Sequence, residues 1–384
     1  MSRKVIYISH AHLNEKTERD WHINYLRANN VTVEYWDILP LIFGEVEEFG
    51  SKIAEYLHTP RTYQELETML RMPENRDALY VMLINYEGRT TKLYRLLSKY
   101  KARMLFIAYA AFPGERSGRW SQVLHGIVSN PLKLTRTVFS KMKAAVYRRF
   151  KIVKPFEIVF AAGQALAASK QYAVRVVPIN LIDYDHYVRV QSSDVRAVKG
   201  RYAVFLDIYA AYQSDLEICG LKPIDPSSYY QSLNRFFGLL ELKYAVKVVI
   251  AAHPKADYSL ETFQGREIFQ GLTPELVKNA DFVISHHSAS VSYAVLNRKP
   301  LIIVYTNEMK RLWNHTIVMR LHQSIASYLD VALYNIDEIT QGDQIALKEV
   351  NFIYYDNYKY NFLTTHESEH TTTQEIFWRE INAS

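Results

Sequence analysis

Short apolar runs alternate with longer amphipathic stretches along most of the chain. Residues 4–9 read as a strand, because Val5-Ile6-Tyr7-Ile8 is an unbroken β-branched and aromatic run, and 15–28 read as a helix. A second strand is expected at 31–36, ending at Asp37. Helices at 45–57 and 63–70, a strand at 78–84, a helix at 91–100 and a strand at 102–108 continue the pattern. A fifth strand at 155–160 leads into a short helix from Gln164, and a sixth covers 172–177. Strands separated by helices in this way predict a mostly parallel sheet covered on both faces.

The polar stretch Gln191-Ser192-Ser193-Asp194-Val195-Arg196-Ala197-Val198-Lys199-Gly200 interrupts this rhythm and reads as a linker. The pattern restarts with a strand at 202–206, a helix at 227–240 and a strand at 245–251 that stops at His253-Pro254. A strand at 281–285 runs into a helix starting near Ser288 or Ser290, followed by strand 301–305, helix 311–328 and strand 331–334. Residues 371–381 read as a last helix. The prediction is an α/β protein of two facing Rossmann-like domains, 1–190 and 201–350, joined by 191–200, with 351–384 packing back on the first. In open parallel sheets ligands bind at the carboxyl ends of the strands, so chemistry is expected there, in a cleft between the domains.

Composition supports two domains. The 384 residues, 48% of them hydrophobic, suffice for two cores of roughly 150 to 200 residues each. Forty-six Lys plus Arg against 40 Asp plus Glu give a net charge of +6, compatible with an anionic substrate or surface. One cysteine, Cys219, excludes an intramolecular disulfide and a cysteine zinc cluster. The apolar run after Arg3-Lys4 is too short for a signal peptide, and no window of 18 apolar residues exists. Cytoplasmic placement is therefore expected.

Polar residues at strand ends carry the candidate chemistry. In Val248-Val249-Ile250-Ala251-Ala252-His253-Pro254-Lys255 an apolar strand delivers His253 at its carboxyl end, where an imidazole can donate to a phosphate oxygen or simply cap a loop. In Ile284-Ser285-His286-His287-Ser288-Ala289-Ser290, the hydroxyls of Ser288 and Ser290 and the amides of a helix start can hold a phosphate, or the serines can act as N-caps. Adjacent His286 and His287 are expected to point opposite ways, one of them facing the cleft. Asp207, after Phe205-Leu206, can take a proton from an acceptor hydroxyl or tie down its own loop. Tyr209 and Tyr212 can stack on a sugar or base. The first half offers Ser9-His10-Ala11-His12, Glu115 as an alternative base, and Asp183 and Asp185. No metal-binding cluster, Gly-x-Gly-x-x-Gly or Walker loop is present, so no metal and no dinucleotide or other cofactor is expected.

Residues 131–154 contain Lys133, Arg136, Lys141, Lys143, Arg148, Arg149, Lys151 and Lys154 with no acidic residue. On a helix, Leu134, Val138, Met142, Ala145 and Val146 share a face. Such a segment can lie on an anionic membrane surface, or pack as a solvated connection. Nucleic acid is not an expected partner, because no binding module accompanies the cations.

With these residues in view, the second half resembles the bacterial sialyltransferase-like families and related capsule and lipopolysaccharide glycosyltransferases, which share the paired GT-B architecture. His253-Pro254 matches their His-Pro motif, Ser288 to Ser290 their serine motif, and Lys299-Pro300-Leu301-Ile302-Ile303-Val304 closes the similar region. The resemblance covers about 200–335 and implies that His253, Pro254, His287, Ser288 and Ser290 bind the nucleotide part of a donor, as CMP, in the second domain. It implies a metal-independent transfer of a sugar, such as a nonulosonic acid or Kdo, to a glycan or glycolipid acceptor held by the first domain, with the enzyme peripheral on the inner face of the membrane. The acidic pair followed by glycine that supplies the base in those families has no copy here, which leaves Asp207, Glu115 and the Asp183 and Asp185 pair as substitutes. A sugar epimerase or another nucleotide-sugar enzyme, and a non-catalytic component of a polysaccharide assembly system, are the alternatives.

Overall fold

The computed structural model describes residues 3–44, 52–108, 113, 142–143, 145–212, 221–314 and 316–383. Glu115, Cys219 and residues 131–141 of the basic segment lie outside the described residues. Those described divide into two compact units, the first within Met1–Tyr109, Arg116–Ile179 and Glu367–Ser384, the second within Ala110–Glu115 and Asn180–His366.

The first unit carries a seven-stranded sheet of β1 (Lys4–Ser9), β2 (Thr32–Asp37), β3 (Leu57–His58), β4 (Leu79–Met82), β5 (Arg103–Ala108), β6 (Phe156–Ala161) and β7 (Ala173–Pro178). Its order is β3-β2-β1-β4-β5-β6-β7, and every pairing is parallel. Both faces are buried, which explains the unbroken apolar run Val5–Ile8 of β1. Ile6 and Ile8 enter one core with Trp36, Tyr80 and Leu97, while Val5 and Tyr7 enter the opposite one with Leu26, Tyr35 and Phe160. The helix Thr373–Ala383 completes this second core through Ile376, Phe377 and Ile381, with the Phe377 ring 5.0 Å from that of Phe160.

Tertiary contacts revise several expected elements. The helix expected at 15–28 is two, Glu15–Asp20 and Ile23–Ala28, broken where the Tyr7 hydroxyl donates to the Trp21 carbonyl at 2.7 Å and His22 takes a left-handed φ of 60°. Residues 52–57 are not helical: they lead into the edge strand β3, parallel to β2. The helix expected at 311–328 is also two, Asn307–Trp313 and Ile317–Leu329, each capped by a threonine side chain, Thr306 and Thr316.

The second unit repeats the design with β8 (Tyr202–Leu206), β9 (Lys247–Ala252), β10 (Ile268–Gln270), β11 (Phe282–Ser285), β12 (Leu301–Tyr305) and β13 (Ala332–Asn335). The order is β10-β9-β8-β11-β12-β13, again parallel throughout. Counted within the unit, this is the doubly wound order 3-2-1-4-5-6. Helix Ile182–Gln191 also belongs to this unit, burying Tyr184 in its core, and the Lys278 ammonium holds the polar stretch that follows by donating to the carbonyls of Val190, Gln191 and Ser193.

The topological switch lies between β8 and β11. The helix after β8, Pro226–Tyr244, packs on one face of the sheet through Tyr229, Leu233 and Phe237. The helix after β11, Val291–Leu296, packs on the other through Val291, Ala294 and Val295. The chain therefore departs in opposite directions from two neighbouring strand ends. In this topology a crevice opens between them, and it is where such sheets take their ligands.

Candidate active site

Three adjacent strand ends, those of β9, β8 and β11, bear the residues singled out in the second half of the sequence. With neighbouring strands about 4.8 Å apart, the ends of β9 and β11 lie roughly 10 Å from each other across β8. His253, Asp207 and the His286 to Ser290 segment thus share one edge of one sheet. The structure does not bring Asp183 and Asp185 into this group. Asp183 accepts from the Tyr293 hydroxyl at 3.3 Å, and buried Asp185 accepts from the Asn180 amide at 3.0 Å.

Asp207 is the hub of this edge. It is 6% exposed, and one carboxylate oxygen accepts from the Tyr209 amide at 2.9 Å. The other accepts from the His253 amide at 3.2 Å and the Tyr258 hydroxyl at 2.9 Å. Burial raises its pKa, and the three donors and the nearby His253 oppose that rise. These bonds stitch the β8 and β9 ends together and hold Tyr209 at a left-handed φ of 55°, a conformation an aromatic residue rarely adopts unaided. The Tyr209 ring then lies parallel to the His253 imidazole, 6.1 Å between centres.

His253 is half-buried, and its Nδ1 accepts from the Lys255 amide at 3.2 Å. In the neutral ring the proton therefore resides on Nε2, which makes that nitrogen a donor. The turn through Pro254 is braced from β10: the Gln270 side-chain amide donates to the carbonyls of His253, Pro254 and Ala256, at 3.2, 2.8 and 3.3 Å.

Beyond β11 the two histidines diverge, as period-two geometry demands. His286 is fully buried, its Nδ1 donating to the Val304 carbonyl at 2.6 Å and its Nε2 accepting from the Tyr229 hydroxyl at 2.9 Å. His287 is only half-buried, with Nδ1 3.4 Å from Nε2 of His322. Ser288 accepts from the Ser290 amide at 3.2 Å, and the amides of Val291, Ser292 and Tyr293 bond to carbonyls three residues back. This tightened turn spends those amides internally, so fewer of them face outward than the sequence led us to expect. Ser290 stands at the cap position of Val291–Leu296 without a capping bond, and its hydroxyl has no partner among the described residues. The Ser285 hydroxyl, wholly buried at the strand end, has none either.

Tyr258, Gln270, Tyr229 and His322 complete the arrangement, and no local motif marked them. The first unit's Ser9 to His12 turn is tied differently: Ser9 Oγ accepts from the Ala11 amide, and His12 pairs with Asp37 at 2.5 Å. Among the described residues, no group of three or more His, Cys, Asp or Glu could hold a metal ion, and no helix is long and apolar enough to cross a membrane.

No family model matches the chain, and no curated protein matches it in sequence. Solved structures do match it. CalG4, the calicheamicin glycosyltransferase, aligns over 93% of this chain and 92% of its own at 10% identity, with a TM-score of 0.51. The H548A form of the wall teichoic acid polymerase TagF aligns over 99% and 90% at 10% identity, with a TM-score of 0.50. The fold is of the GT-B type. At such identity the likeness extends to architecture, and the residues of the second unit's strand ends must speak for themselves.

The buried histidines make a pH prediction. Burial, their mutual proximity adding to it for His286, lowers the pKa of His286 to about 3 and that of His322 to about 4, from 6.5. The unfolded chain binds protons on both below about pH 6.5 while the folded chain does not, so stability is present above that pH and falls as pH drops toward 4. Urea unfolding should show a loss of a few kcal/mol between pH 7 and pH 5, at ~1.4 kcal/mol per pH unit per group. A flat profile across that window would show the rings to be protonated in the native state.

Proposed function

We propose that this protein is a glycosyltransferase that binds a nucleotide sugar at the β8, β9 and β11 ends of its second unit and transfers the sugar to a glycan acceptor. The observation that carries this reading is His253. It sits at the carboxyl edge of a 3-2-1-4-5-6 sheet, one strand from the switch point, its Nδ1 is occupied by the Lys255 amide, and its turn is braced by Asp207 and Gln270. A fixed Nε2–H in such a place suits a phosphate oxygen that gains charge as the sugar departs. The GT-B fold agrees with it, and the His-Pro and serine motifs favour CMP as the nucleotide and a nonulosonic acid or Kdo as the sugar. Ser288, Ser290 and Lys255 add hydroxyls and a positive charge. Of the two roles open to Asp207, its three bonds favour that of ordering His253 and Tyr209.

The acceptor in this reading is lipid-linked, and the basic segment meets the membrane surface. Within its described part, Met142, Val146 and Phe150 follow one another at helical spacing and are 62, 45 and 72% exposed, beside Lys143, Arg149 and Lys151.

Incubation with CMP-, UDP-, GDP- and dTDP-sugars tests the class. A transferase releases nucleotide and forms a glycoside only when a glycan acceptor is supplied. An altered sugar formed without acceptor would instead identify an epimerase, and no turnover of any donor would favour a non-catalytic component.

A further inference from the structure

Proton positions in the histidine cluster behind β11 follow from its hydrogen bonds. The Val318 carbonyl can only accept, and it lies 2.9 Å from His322 Nδ1, so that nitrogen carries the ring proton. His322 is wholly buried, and burial holds its ring neutral, which leaves Nε2 bare. Nε2 faces His287 Nδ1 at 3.4 Å, so the His287 nitrogen must be the donor. His287 is itself held neutral, because burial and the neighbouring His322 and His286 push its pKa well below the usual imidazole range. Its second nitrogen, Nε2, is then also bare.

The three histidines end up unlike one another. His286 uses both nitrogens inside the core, on Val304 and Tyr229. His322 uses both as well, on Val318 and His287. His287 alone among them has one nitrogen bonded within the described residues and is not fully buried at the strand end. A buried, unpartnered hydroxyl, Ser285, stands two residues before it at the same strand end. Buried polar groups left without partners are uncommon and call for an explanation such as an ordered water or a catalytic role.

We propose that His287 is the proton acceptor of the site, presenting a bare Nε2 to a ligand hydroxyl, and that His322 is the positioning residue that fixes this tautomer. The proposal rests on the transferase reading and adds to it the group that takes the proton. In the transfer step the acceptor hydroxyl oxygen forms its bond to the anomeric carbon, and the bond from that carbon to the donor phosphate oxygen breaks. The electron pair of the broken bond leaves with the nucleotide phosphate. The proton of the hydroxyl passes to His287 Nε2, giving an imidazolium that later returns it to solvent. A histidine whose tautomer is set by its other nitrogen is a general device of acid–base sites.

Two readouts on the full chain test this. Nitrogen-15 NMR of histidine-labelled protein, with the His287 signal identified by its loss in His287→Gln, is expected to show the proton on Nδ1. In His322→Phe, which removes the acceptor, that preference should vanish, and in His322→Gln, whose side-chain oxygen replaces Nε2, it should return. Observation of His287 with its proton on Nε2 in the unaltered protein would overturn the proposal. The second readout is turnover of whichever nucleotide sugar the chain consumes: His322→Phe should lower kcat about 10- to 100-fold with KM within twofold, and His322→Gln should recover most of it. Unchanged kcat in a folded His322→Phe whose His287 tautomer has shifted would also overturn it. If no nucleotide sugar is consumed, the transferase reading fails, and the proton-acceptor role fails with it even where the NMR shows the expected tautomer. A wrong tautomer in an active transferase fails the proposal alone.

Discussion

Asp207→Ala is expected to lower the stability of the chain by about 3 kcal/mol. The carboxylate is buried and receives the Tyr209 and His253 amides and the Tyr258 hydroxyl. Removing it leaves three donors without this acceptor, and each such group costs roughly 1–3 kcal/mol when buried, less where water reaches it. The left-handed Tyr209 loses the bond that holds it, so its ring should leave the face of His253. Asp207→Asn keeps an accepting oxygen for one side and presents an amide to the other, and should fall between the two. Urea unfolding of the three proteins at pH 7 measures this. A loss below about 1 kcal/mol in the alanine variant would mean that the strand ends are not held together by this carboxylate.

His253→Ala is expected to leave folding nearly unchanged and to lower the rate of donor consumption by about 100- to 1000-fold, the range for removing a donor aimed at developing charge. The hydrogen bond from His253 to Asp207 comes from its backbone amide, which alanine retains. The side chain accepts from Lys255 and stacks on Tyr209, at the half-exposed edge of the sheet. His253→Gln, which can place an N–H near the position of Nε2, should recover part of the rate. Released nucleotide measured over time checks both variants, and a rate within threefold of the unaltered chain in His253→Ala would remove this imidazole from the chemistry.

The elements easiest to foresee were those dictated by their own side chains. Strands β8 and β12 begin and end where their apolar runs do, because a strand buried on both faces is close to a continuous apolar run. The polar residues following β8, β9 and β11 were equally visible, since a parallel strand ends where an apolar run meets a histidine, aspartate or serine. Other features are settled by partners distant in sequence. The 15–28 helix breaks because Tyr7 reaches the Trp21 carbonyl, a contact that periodicity does not encode. His322 lies 35 residues beyond His287 on a helix whose pattern marks it only as one more inward-facing position. Tyr258 reaches Asp207 across 51 residues from a loop without a motif. The sequence leaves Asp207 open as base or loop anchor, and two of the three donors that favour the anchor, His253 and Tyr258, are distant in sequence.

In the proposed function the second unit's strand ends hold a nucleotide through its phosphate. Thermal unfolding of the unaltered chain and of His253→Ala, each with and without millimolar CMP, UDP, GDP or dTDP, addresses it directly. A ligand that binds only the folded state stabilises it by RT ln(1 + [L]/Kd), about 2.7 kcal/mol at a hundredfold excess over Kd. Tm is expected to rise with at least one of these nucleotides, CMP foremost, and the rise to be at least halved in His253→Ala. Equal rises in both proteins, or none in either, would contradict it.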